Sequence, residues 1–272
     1  MTQLPQVLRV AGMMALLGAG SAPAQDVPAA PPAEETVIHL GAVERVTIHL
    51  KEKRIEVPGE IVLQRGAIEL MACARGGKVH ESVLVLRCRP SDLNAALLYL
   101  GCKSTAGPSF LGDPTKPEGD RLVVEVEWEA DGKAARHRLE DLAYDLVSQA
   151  AMPRITWVYT GSKFVRDPAS GTEVYMADRE RNLITTWHDP HALLDNPLPT
   201  GGDDTAYVAN TDLLPARGTP VRLTIRLATE AEIAESRTRE AEAERAAAVR
   251  AAEAKAAREK EAREQGGGEG GK

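Results

Sequence analysis

Aromatic residues are scarce in this chain of 272 residues: two Phe, five Tyr and three Trp, 4% in all. The net charge of −7 is mildly acidic. Together these exclude the basic footprint and the stacking platforms of a nucleic-acid binder. Cysteine is scarce too. Cys73, Cys88 and Cys102 are the full set and no C-x-x-C spacing occurs, so neither a zinc ribbon nor an iron–sulfur cluster is indicated. No apolar run is long enough to form a transmembrane segment. The globular part holds no G-x-S-x-G, H-E-x-x-H or G-x-G-x-x-G motif, and nothing implies a cofactor.

What is present begins with an export leader. Residues 1–24 read MTQLPQVLRVAGMMALLGAGSAPA, with one early positive charge at Arg9, a short apolar stretch and an A-x-A cleavage site ending at Ala24. This is the pattern of a signal peptide, and it places the mature chain in the periplasm or outside a bacterial cell. Three cysteines in an oxidising compartment leave at least one thiol free or paired between chains. Residues 25–35 form a Pro/Ala linker. Residues 36–228 form the globular part, punctuated by turns, and from Thr229 the composition changes to Ala, Glu, Arg and Lys as far as Gln265. That segment is rich in strong helix formers and carries the i,i+4 pairs Glu235/Arg239 and Glu259/Arg263. Ile233 and Val249 are its only larger apolar residues, so no heptad seam runs through it. It is expected as a solvated single helix rather than a coiled coil, and the chain as a monomer or a weak oligomer through that helix. Residues 266–272 are a Gly-rich tail.

Alternating apolar patterns and turn residues predict strands at 43–50 and 54–57, ended by Pro58-Gly59. Strands at 61–74 and 80–88 follow, joined across Gly76-Gly77 as a hairpin. Ser91 is placed to N-cap a helix carrying Leu93, Leu97, Leu98 and Leu100, which Gly101 closes. Strands at 122–128 and 134–139 turn at Asp131-Gly132, and 140–152 reads as helical. A meander at 155–159, 163–166, 173–176 and 183–187 leads to a last strand at 220–227. The fold class is α+β, mainly β: antiparallel hairpins and a meander with one or two short packed helices, plus the charged Ala-rich helix.

The segments GAIELMACARGGKVHESVLVL, PSDLNAALLYLG, MPRITWVYTGSKFVRDPASGTEVYMAD, DNPLP and GTPVRLTI together resemble the YdjY-like domain of exported bacterial proteins, over about residues 36–227. The GGKxHES turn and the WxYxGSxFxxDPxxGxxVY hairpin are the most specific pieces. The resemblance implies domain limits and carries no activity across. Some relatives are described as ferredoxin-like, but this chain lacks the clustered cysteines such an assignment needs.

Two constellations hold reactive residue types. In a tight hairpin around Gly76-Gly77, residues whose numbers sum to 155 face each other. Cys73 then lies opposite Ser82 with His80 diagonal to it, the minimum set for an activated thiol. Glu81 points to the other face. The bland reading makes Cys73 a small core residue and His80 a sheet histidine. The same register brings the end of the following helix back toward the turn, which predicts a Cys73–Cys102 disulfide and a free Cys88. The second constellation is Trp187-His188-Asp189-Pro190-His191, where His188, Asp189 and His191 can ligate a metal if the loop curls back and a third element such as His80 joins them. Lys78 after two glycines lacks P-loop spacing. Trp128, Trp157, Tyr159 and Trp187 are either core or the lining of a pocket. The favoured function is a non-enzymatic domain that binds an envelope protein or a small ligand. The alternatives are a thiol- or metal-dependent hydrolase centred on Cys73 and His80, and a structural spacer acting through the terminal helix.

Overall fold

The computed structural model describes residues 37–42, 45–130 and 132–266, with side chains to residue 260. The expected signal peptide, the linker and all but the first residue of the Gly-rich tail lie outside the described residues. The elements of the main sheet are β1 (Val37–Leu40), β2 (Val46–His49), β3 (Arg54–Ile61), β4 (Leu70–Ala74), β5 (Ser82–Leu86), β6 (Arg121–Ala130), β7 (Lys133–Arg138), β8 (Trp157–Tyr159), β9 (Asn182–Thr185), β10 (Leu194–Asp195) and β11 (Pro220–Leu227). Helix α1 spans Pro90–Tyr99, α2 Met176–Glu180 and α3 Glu230–Gly266.

Eight of these strands close on themselves in the order β3-β11-β6-β8-β10-β9-β4-β5 and back to β3, so the domain is mainly β around a barrel-like sheet. Closure depends on two long strands that each share one edge between two partners. β3 pairs with β2 over Arg54–Glu56 and with β5 over Gly59–Ile61. β6 pairs with β8 at its start and with β7 beyond it. The alternation in β11 fills the interior: Leu223 lies between Val57 and Val126, and Ile225 between Ile55 and Val124. All six are fully buried, each worth about 1.5–3 kcal/mol by apolar burial.

Pro58-Gly59 does not end its strand as expected; β3 runs on to Ile61. A Cβ on Gly59 would sit 2.6 Å from the Val85 carbonyl oxygen, so glycine is required where β5 joins the barrel. The expected hairpin across Gly76-Gly77 is also corrected. β4 and β5 pair parallel, Leu70 with Ser82 and Cys73 with Val85, and residues 75–81 loop back between them. Both strands are buried at every position. They therefore carry no alternation to set direction, and near-continuous apolar runs are what parallel strands show. Residues 140–152 are not helical. A 3-10 turn at Leu139–Leu142 passes into the strands Ala143–Asp145 and Ala150–Ala151. The Asp145 carboxylate accepts the Val147 and Ser148 amides at 2.7 and 3.2 Å, a local turn that competes with helix. At α1, Pro90 is inside the helix and Arg89, not Ser91, is the N-cap, with no side-chain cap bond; the Ser91 amide donates to the Asp178 carboxylate of α2 at 2.8 Å.

Helix α3 forms as expected but is not wholly solvated. Thr229 and Glu232 make a capping box at its start. Its inner turns then dock on the barrel. Ser236 accepts the Thr156 amide at 2.9 Å, and Glu240 bonds Arg121 at 2.7 Å and Lys116 at 2.8 Å. Ser236 and Glu240 are both buried, whereas residues 251–260 are exposed throughout.

Candidate functional site

The two constellations marked by residue type meet on the barrel wall. β9 runs beside β4, with Asn182 opposite Cys73. The Glu69 carbonyl just before β4 accepts the Thr186 amide at 2.8 Å and the Trp187 amide at 3.2 Å. The fold thus sets the Trp-His-Asp-Pro-His turn beside the start of β4, but the reactive groups of the two constellations go to separate partners.

Cys73 has no exposed surface and packs with Val62 and Val85, apart from the main core. Burial pushes its thiol above the usual cysteine range, which the neighbouring Ser82 hydroxyl only partly offsets. Ser82 donates its own hydrogen to the Lys78 carbonyl at 2.7 Å. His80 is turned outward, its side chain 78% exposed, and its Nε2 lies 3.5 Å from Glu81 Oε2. Cys73 and His80 therefore do not share one face as the hairpin register predicted. Lys78 sits between carboxylates, 2.8 Å from Glu81 and 3.5 Å from Glu69. Burial alone would lower its pKa, but Glu81 and then Glu69 raise it overall. The expected Cys73–Cys102 bridge is not formed. None of the three cysteines is in a disulfide and all are buried; Cys102 belongs to the main core, where burial and then Asp120 push its thiol to about 12. The prediction followed from an antiparallel register that the parallel pairing removes.

His188, Asp189 and His191 diverge. His188 Nδ1 bonds Asp195 Oδ1 at 2.8 Å, both side chains buried, and Gly201 lies so close over the imidazole that a Cβ there would be 2.5 Å from Nε2. Burial raises the Asp195 carboxyl, which His188 opposes. Asp189 accepts the Asn182 side-chain amide and the His191 backbone amide. Among the described residues no three His, Cys, Asp or Glu side chains gather as a metal site. Of the large aromatics, Trp157 and Tyr159 are buried, whereas Trp128 stacks on His137 with ring centroids 4.7 Å apart and lines a second cleft of about 580 Å³.

Open space lies beside this wall. A cleft of about 380 Å³ is floored by the buried Pro108, Pro190 and Thr160, with Gly107, Ser109, Ser162 and Lys163 around it. Pro190 comes from the Trp-His-Asp-Pro-His turn, and Thr160, Ser162 and Lys163 from the WxYxGSxF segment. Gly107, Pro108 and Ser109 come from the Pro/Gly-containing loop that follows α1. A family model, described as the YdjY domain, matches residues 46–226. The chain belongs to the YdjY domain family. No curated protein and no solved structure matches it. The match runs from β2 almost to the end of β11 and leaves α3 outside the YdjY domain. Within the domain, Ser162 and Lys163 are the site residues that sequence reasoning missed. Ser162 holds a left-handed φ of 59°, which Gly161-Ser162 read as a turn could have flagged, and its hydroxyl donates to the His191 carbonyl at 2.9 Å. Lys163 Nζ lies 3.3 Å from the Ser109 carbonyl.

Proposed function

We propose that this chain is an exported envelope protein whose YdjY domain binds a small ligand or a partner and performs no chemistry of its own. The observation that carries this reading is the separation of reactive groups from open space. Cys73 is sealed in the wall, Lys78 is enclosed by Glu69 and Glu81, and His188 is held by Asp195. The open cleft presents prolines, hydroxyls and one ammonium, groups suited to holding and orienting a ligand. The leader pattern of residues 1–24 supports export.

The test is native mass spectrometry of the protein isolated from the envelope, beside a hydrolase substrate panel run on the wild type, Cys73→Ser and His80→Ala. A retained ligand or partner, lost when Lys163 is replaced, is expected. A turnover that either variant abolishes would overturn the reading. Deleting residues 251–272 should leave binding unchanged; loss of binding on that deletion would favour a spacer working through α3.

A further inference from the structure

We infer that the cleft at Thr160–Lys163 takes the oxyanion of a small organic acid or phosphate ester, an inference that rests on the binding role proposed above. The donors there are unspent. Among the described residues, the backbone N–H groups of Ser162 and Lys163 have no hydrogen-bond acceptor. Gly161 and Ser162 both adopt left-handed φ, 74° and 59°, a conformation that costs energy at a non-glycine residue and that clusters at ligand-holding sites. Among the described residues, the Lys163 ammonium has the Ser109 carbonyl as its partner and no carboxylate. Two adjacent amides with no acceptor among the described residues and a lysine border one cleft that no carboxylate lines, the complement of an oxyanion.

The hydroxyls do not compete for that role. Thr160 donates to the Ala192 and Leu193 carbonyls and Ser162 to His191, so they brace the cleft from behind. The nearby Asp113 carboxylate is turned into its own loop, accepting the Ser109 and Thr115 amides at 2.8 and 2.9 Å, and does not occupy the donors. The cleft is larger than a bare ion needs, at the small end of organic-ligand sites. Its floor of Pro108 and Pro190 is apolar, and the exposed Phe110 and Phe164 directly follow the lining residues Ser109 and Lys163. A ring or short apolar body carrying one anionic group fits that description.

The full exported chain, labelled with ¹⁵N, should be titrated separately with benzoate, phenyl phosphate and the uncharged benzamide. Benzoate or phenyl phosphate should move the Ser162 and Lys163 amide resonances, and which of the two binds tighter separates a carboxylate from a phosphate source. Lys163→Met should weaken that binding about tenfold. Shifts of these amides by benzamide as large as by benzoate would overturn the oxyanion inference while leaving the binding role standing. Amides that stay still with both anions would overturn it as well, with no variant required.

Discussion

Glu140 gives the sharpest test of the barrel's energetics. Its side chain has no exposed surface; one oxygen accepts Arg138 at 2.8 Å and the Ile155 amide at 3.3 Å, and the other has no partner. Burial lifts its pKa from 4.5 to about 7, against the pull of Arg138. A carboxyl with a raised folded pKa holds its proton longer in the native state than in the unfolded chain. Its contribution is therefore neutral below about pH 4.5, becomes steadily unfavourable as pH rises to 7, and stays at that cost above. At about 1.4 kcal/mol per unit, the shift is worth roughly 3 kcal/mol. Glu140→Gln removes the titration while keeping an oxygen acceptor for Arg138 and Ile155. Urea unfolding of both proteins at pH 4.5 and pH 8 is the assay, since their difference cancels every other titrating group. The wild type should lose roughly 3 kcal/mol relative to the Gln variant over that interval. A difference that stays flat with pH, or that changes in favour of the wild type as pH rises, would show that Arg138 outweighs burial and refute the reasoning.

Three further outcomes follow from the same structure. Glu240→Ala leaves Arg121 beneath α3 without its carboxylate, with the Thr156 carbonyl still accepting from it. It should cost about 3 kcal/mol and release the inner turns of α3, seen as faster hydrogen exchange at residues 230–246; unchanged exchange would mean the helix is held otherwise. Gly59→Ala forces a methyl against the Val85 carbonyl at the barrel's closing seam. A loss of about 1–3 kcal/mol in chemical denaturation is expected, and a neutral result would place β5 wrongly. Cys73 should resist iodoacetamide at pH 8 in the folded protein and react only on unfolding, because burial raises its thiol; rapid labelling would reopen the nucleophile reading.

The parts of the fold legible in the sequence were those with a period. β11 forms over Pro220–Leu227 as the alternation predicts, and β6 and β7 pair antiparallel. β4 and β5 were misread because LMACA and SVLVL have no polar face. Only their neighbours in the sheet, the preceding β3 and the sequence-distant β9, decide which way they run. The docking of α3 was invisible for a related reason. Its contact face is Ser236 and Glu240, polar residues buried through Arg121, Lys116 and the Thr156 amide, and a search for apolar stripes passes over them. In the cleft, the main-chain amides of Ser162 and Lys163 have no acceptor among the described residues. Backbone donors leave no residue-type signature; only the Gly-Ser turn hints at them.

Helix α3 is fastened along its inner turns and bare along its outer ones, which gives the protein a mechanical character. Residues 251–266 continue the same helix for about 24 Å at 1.5 Å per residue. A body joined there would have its bearing set by the ion pairs under Glu240. A force on the far end would load Arg121–Glu240 in shear, so that pair works as the clamp of a lever.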